Sequence, residues 1–172
     1  MKLYTIIFAE PSTFSGVKPN SCYFVVHDTF YQELLKQPKE FYSQETIENY
    51  VEHQNAYCFG ELYKLNEYEL LGVHYNDGGQ TGFIDYHLYE AGKFVDYGAD
   101  VPDEPQIFYS GYEFKLLEEA REKYPSILFC GDTLGGDVGA TLYAHYDEFY
   151  KINSLIIDNN YFFENDKPKF EI

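Results

Sequence analysis

The chain has 172 residues, 29 of them acidic against 12 basic for a net charge of −17, with 19 Tyr, 15 Phe, one Met and no Trp. So many aromatics exclude a disordered chain, and the length is that of a single domain, residues 1–172. The charge excludes direct binding to nucleic acid and to anionic membranes, and it favours a basic protein partner.

Plain solubility is the simpler account of such a charge, and the basic residues, with Arg121 the single arginine, form no stripe. Cys22, Cys58 and Cys130 are far apart and form no CxxC pair, which argues against structural zinc and suits a reducing compartment. The N-terminal run is too short and interrupted for a signal peptide, and no segment approaches the roughly 20 apolar residues of a membrane span. A cytoplasmic protein without a cofactor is expected.

Residues 2–9 read as a strand, and 10–20, with two prolines, as a loop. SCYFVVHD is a second strand; Asp28 is placed to cap a short helix, TFYQELLKQ, that stops at Pro38. Ser43 is placed to cap another, QETIENYVEHQ. The middle reads as a central β-meander of strands 57–65, 67–75, 81–90 and 93–98, separated by Asn66, NDGGQ and Ala91-Gly92. A tight turn at NDGG sets Tyr75 opposite Gly82, Val73 opposite Ile84 and Leu71 opposite Tyr86. The other face then carries Tyr68, Leu70, His74, Phe83, Asp85, His87 and Tyr89.

An acidic loop, 99–106, precedes a capping box at Ser110 and Glu113 with a helix running to Tyr124. A strand at 126–130 leads into the Gly/Asp loop CGDTLGGDVG, whose glycines predict a strand exit at positive φ. Residues 140–152 fit a strand at their start and a helix for the rest; 154–165 fit one or two strands with a turn at Asn159-Asn160, and the tail is expected to be mobile. The fold class expected is α+β, a mainly antiparallel sheet with two or three helices packed on it.

Three constellations carry chemistry. The Gly/Asp loop lacks the Lys of a P-loop and the G-x-G-x-x-G spacing, and its carboxylates repel phosphate; a divalent cation on Asp132, Asp137 and His145 suits the charges better. His74, Asp85 and His87 on one sheet face could act as acid and base or hold a transition metal. Cys130 with His145 could be drawn as a nucleophile pair, yet a cysteine ending an apolar strand is more often buried. Each set has a bland alternative, since mixed sheet faces and Gly-rich turns often serve structure alone.

The segment FCGDTLGGDVGATLYAHYDEFYKI, residues 129–152, resembles the Gly/Asp turn and following strand of the SMI1/KNR4-like superfamily, with Asp132, Gly135, Gly136 and Asp137 on the turn. The chain departs from that pattern in having no Trp and a strand-rich first half. The resemblance implies a bacterial, non-catalytic immunity protein that binds and blocks a toxin.

Charge, abundant Tyr and the absence of a catalytic motif together favour a non-catalytic protein that occludes a basic partner such as a toxin. The carboxylates expected to meet it are Asp100, Asp103 and Glu104 in the acidic loop, Glu118, Glu119 and Glu122 on the helix, and Asp132 and Asp137. A second reading is a small metal-dependent hydrolase using His74, Asp85 and His87, or Asp132, Asp137 and His145. A third is a phage- or plasmid-encoded anti-defence protein that mimics nucleic acid.

Overall fold

Short apolar runs build two antiparallel sheets. The structure, a computed structural model, describes residues 1–9, 22–42, 55–76, 80–93, 118, 121–122, 124–132 and 138–172. The first sheet has the order β2-β1-β6-β7, from Cys22–His27, Leu3–Ala9, Gln80–Asp85 and Ile127–Asp132. The second has the order β3-β4-β9-β8-β5, from Lys39–Tyr42, Asn55–Gly60, Ile152–Asn159, Val138–Tyr146 and Glu69–Asn76. A small hairpin, β10 (Phe163–Glu164) and β11 (Lys167–Pro168), follows.

Registers place the large rings in one layer. Phe8 pairs with Phe83, and Phe83 with Phe129, so all three point toward the second sheet. There Phe59 meets Phe83 edge-on at 5.1 Å and Tyr57 meets Phe129 at 4.9 Å. The second sheet is buried on its other face too, where Cys58, Tyr143 and Ile156 lie under Leu65, Tyr68, Phe162 and Phe163. Burial on both faces is why Leu155-Ile156-Ile157 is a continuous apolar run rather than an alternating one. The sheets meet at an edge where a Cβ on Gly72 would lie 2.4 Å from Cys22 Sγ, so only glycine allows that approach.

The fold is mostly antiparallel sheet, α+β or mainly β in class. Among the described residues the helices are short: α1 (Asp28–Leu34) has seven residues and α2 (Tyr86–Leu88) three, running into a π-turn at Tyr89–Lys93. His27, not Asp28, is the N-cap of α1, and Asp28 sits in the first turn, where its charge suits the helix dipole.

The central meander is corrected. β4 and β5 lie in the second sheet on opposite sides of β9 and β8, while β6 lies in the first sheet. Tyr75 pairs with Gly139 rather than Gly82, and Gly82 pairs with Ala9 and Cys130. The strand expected over 81–90 stops at Asp85, because the Asp85 carboxylate accepts the Leu88 N–H at 3.1 Å and turns the chain into α2. Residues 138–146 form a strand, but the helix considered for the rest is a turn, and β9 begins at Ile152. The tail is paired as far as Pro168. The helix expected at 44–54, the strand at 93–98 and most of the capping-box helix lie outside the described residues; Glu118, Arg121 and Glu122 are helical.

β4 ends at Gly60, which has φ +83, and a Cβ there would lie 2.5 Å from the Asn153 carbonyl oxygen. Gly60→Ala is therefore expected to destabilise the protein by about 1–3 kcal/mol through backbone strain. Urea denaturation measures it; an unchanged midpoint would contradict the close approach of β4 and β9.

Candidate functional site

The structure does not bring His74, Asp85 and His87 together. His74 is buried on β5, its Nε2 2.5 Å from Thr81 Oγ1 on β6 and its ring edge-on to Phe8 at 4.4 Å. Asp85 lies four residues further along β6, roughly 13 Å away, with Phe83 between them on the same face. Its carboxylate accepts from the Tyr31 hydroxyl at 2.7 Å and from the Leu88 N–H, both structural bonds. His87 is exposed on α2. The acid–base set fails because β5 and β6 belong to different sheets and the strand ends before His87.

The described strands do not bring His145 to the Gly/Asp loop either. His145 stands seven residues along β8 from Val138, roughly 23 Å from the strand end that follows the Gly/Asp loop. Asp132 ends β7 opposite Gln80, and Asp137 lies outside the described residues. Among the described residues no group of three His, Cys, Asp or Glu is placed to hold a metal. Gly131 is not at positive φ; a Cβ there would lie 2.5 Å from the Phe129 ring and 2.8 Å from the Tyr57 ring, so it is small to admit aromatics. Cys130 is buried in β7, away from His145 in the other sheet. Of the carboxylates expected to meet a partner, Glu118 and Glu122 are exposed, while Asp100, Asp103, Glu104 and Glu119 lie outside the described residues.

A different surface emerges at the β8–β9 hairpin. Asp147 closes its turn: the carboxylate oxygen Oδ1 accepts the N–H groups of Phe149 at 2.8 Å and Lys151 at 2.9 Å. Those bonds, that from Lys151 first, hold the Asp147 carboxyl below its ordinary range. Tyr150 takes φ 56, a conformation usually left to Gly or Asn, and the turn displays Phe149 and Tyr150 at 69% and 90% exposure. Lys151 Nζ lies 5.8 Å from the Phe149 ring centroid.

Beside the turn, the Tyr63 ring lies flat on His145 at 3.8 Å and 4°, and Tyr68 approaches the imidazole edge-on at 5.7 Å. His145 Nδ1 lies 2.7 Å from Asn153 Oδ1, whose Nδ2 donates to the Tyr63 hydroxyl at 3.3 Å. His145 Nε2 faces Glu67 Oε2 at 3.4 Å. Underneath, the Tyr68 hydroxyl shares a 2.8 Å hydrogen bond with Ser154 Oγ, and burial pushes that phenol up to about 12. Tyr63 is also raised, by burial first and then by the charges of Glu61 and Asp147. Glu61, Glu67, Glu69 and Glu148 are exposed around these rings, with Lys64 and Lys151 the cations among them.

This arrangement suits recognition. Its serine hydroxyl and its thiol point inward: Ser154 and Cys58 are buried, and burial raises the thiol. What faces solvent is a set of rings on a braced turn amid carboxylates. Sequence reasoning missed it because Tyr146, Phe149 and Tyr150 fit a helical stripe. The available clue was Asp147 directly after an alternating strand, the position from which an Asx side chain closes a turn.

No family model and no solved structure matches the chain. "Uncharacterized protein R816" of Acanthamoeba polyphaga mimivirus is 37% identical over 171 residues, covering 95% of this chain and 80% of that protein. The relative is viral, which corrects the bacterial setting implied by the resemblance at 129–152, and a role beside a bacterial toxin is not carried further. At that identity and coverage, the chain belongs to the family of this mimivirus protein.

Proposed function

We propose that the protein is a non-catalytic acidic binding protein, working in the cytoplasm, that occludes a basic protein partner with the end of the sandwich carrying Phe149 and Tyr150. The observation behind this reading is the braced turn: two large rings stand in solvent on a backbone fixed by the Asp147 carboxylate. Exposed rings on a rigid turn lose little conformational freedom on binding, and Tyr is favoured at interface hot spots. The net charge of −17 steers a cationic surface toward the molecule, and the carboxylates around Tyr63 give it local pairing partners. Three free cysteines suit the reducing compartment.

A photo-crosslinking residue placed at Tyr150, and in a control at the exposed Tyr75 near the opposite end of the sheet, tests the reading in cells that make the protein. Crosslinks to a basic protein are expected from position 150 and not from 75. Equal capture at both positions, or capture of acidic proteins only, would remove it.

A further inference from the structure

We infer that β5 is an acid-released edge strand: protonation of His74 frees it from the core while the rest of the sandwich stays folded. β5 is the last strand of the second sheet, so among the described residues β8 alone pairs with its backbone, and a bulge between Leu70 and Gly72 interrupts that ladder. Across the interior β5 is fastened to the first sheet by His74. The His74 Nε2 lies 2.5 Å from Thr81 Oγ1 on β6, and its ring meets Phe8 of β1 edge-on at 4.4 Å. Near the bulge, Gly72 lies against the Cys22 thiol of β2.

A neutral imidazole suits this place in either tautomer, because the Thr81 hydroxyl both donates and accepts. An imidazolium does not. It carries a hydrogen on each nitrogen, and His74 Nδ1, in a side chain only 2% exposed, makes no hydrogen bond among the described residues. Protonation therefore buries a donor without an acceptor and a charge without a counter-ion. Among the described residues the side chains facing the ring are Phe8 from β1, Thr81 from β6 and Ala140 from β8, none of them titratable. The Cys22 thiol is raised by burial and stays neutral in acid. Burial lowers the imidazole to about 4, and the backbone at Tyr75 opposes it more weakly.

Asp158 separates release of β5 from complete unfolding. It stands on β9, across β8 from β5, since Thr141 pairs with both Val73 and Asp158. Its carboxylate accepts the N–H groups of Phe162 and Phe163 at 2.9 and 3.2 Å, bonds in which β5 takes no part. Burial raises it to about 6, so its response to acid opposes that of His74. Complete unfolding exposes both groups, and from pH 7 to pH 5 the opposed responses change its equilibrium constant only about two- to threefold. Release of β5 exposes His74 alone and is favoured about twentyfold over the same interval.

Hydrogen exchange of the full chain, followed by NMR at pH 5 and pH 7 and corrected for the pH dependence of free-amide exchange, tests the device. The β5 amides bonded to β8 are expected to open about twentyfold more often at pH 5, and those of β1, β6 and β9 about threefold more often or less. His74→Gln is expected to abolish the β5 response. Asp158→Asn is expected to keep it and to bring the other strands up to it. Opening that rises by one factor in every strand of the parent overturns the device. So does a β5 response that survives His74→Gln, or one that disappears with Asp158→Asn. Should His74→Gln fail to fold, the parent and Asp158→Asn still decide it.

Discussion

Phe83→Ala is expected to destabilise the protein by about 3–5 kcal/mol. Phe83 is fully buried and touches four rings: Phe59 at 5.1 Å, Phe24 at 5.5 Å, Phe8 at 5.8 Å and Phe129 at 6.3 Å. Phe59 comes from the second sheet and the other three from the first, so the ring joins the layers. Truncation loses the transfer free energy of the side chain and leaves a cavity lined by aromatics that cannot all close in. Denaturant unfolding with an unchanged m-value reads the loss directly. The result also separates two topologies. If 57–90 were a meander, Phe83 would share a mixed face with His74 and Asp85, and its removal would cost about 1 kcal/mol or less. A loss that small would refute the two-sheet core.

The contrast shows which parts of the fold local sequence carries. β1 and β2 were legible because their short apolar runs and the intervening prolines are local signals. β8 and β9 were legible only in part: the start of 140–152 and the run from 154 read as strand, whereas the strands span 138–146 and 152–159. Strand partners were not legible. The NDGG sequence between β5 and β6 has the composition of a hairpin, yet the two strands enter different sheets. Their registers are set by contacts distant in sequence, Phe8 with Phe83 for β6 and Leu142 with Gly72 for β5. Every candidate site that relied on the false pairing dissolved with it, because His74 and Asp85 are neighbours only if β5 and β6 are. His145 was noticed as a ligand but with the wrong partners: Glu67 and Asn153 reach it through a 3-10 turn and an irregular β8–β9 register, neither of which has a period to read.

His74→Gln is expected to reverse part of the pH dependence of stability, by about 3 kcal/mol between pH 7 and pH 4. Burial lowers the His74 imidazole from 6.5 to about 4, against a smaller opposite pull from the backbone at Tyr75. Between those values the unfolded chain binds a proton that the folded chain refuses. Stability contributed by the neutral imidazole is therefore complete above pH 6.5 and is lost as pH falls toward 4. Asp158 works in the opposite direction. Burial raises its carboxyl from 3.8 to about 6, although the N–H groups of Phe162 and Phe163 bond to it at 2.9 and 3.2 Å. Here the folded chain takes up the proton first, so stability rises by about 2 kcal/mol as pH falls through 6 toward 4. In the parent the two effects nearly cancel in that window. His74→Gln removes one of them, and the variant, whatever its fixed packing loss at Phe8 and Thr81, should gain on the parent as pH falls from 6.5. Asp158→Asn should do the reverse and lose ground to it. Urea unfolding of parent and variants at pH 4, 5, 6 and 7 measures the differences. A His74→Gln difference that stays constant across those values would mean that the imidazole is solvated, and that β5 does not bury it against β6.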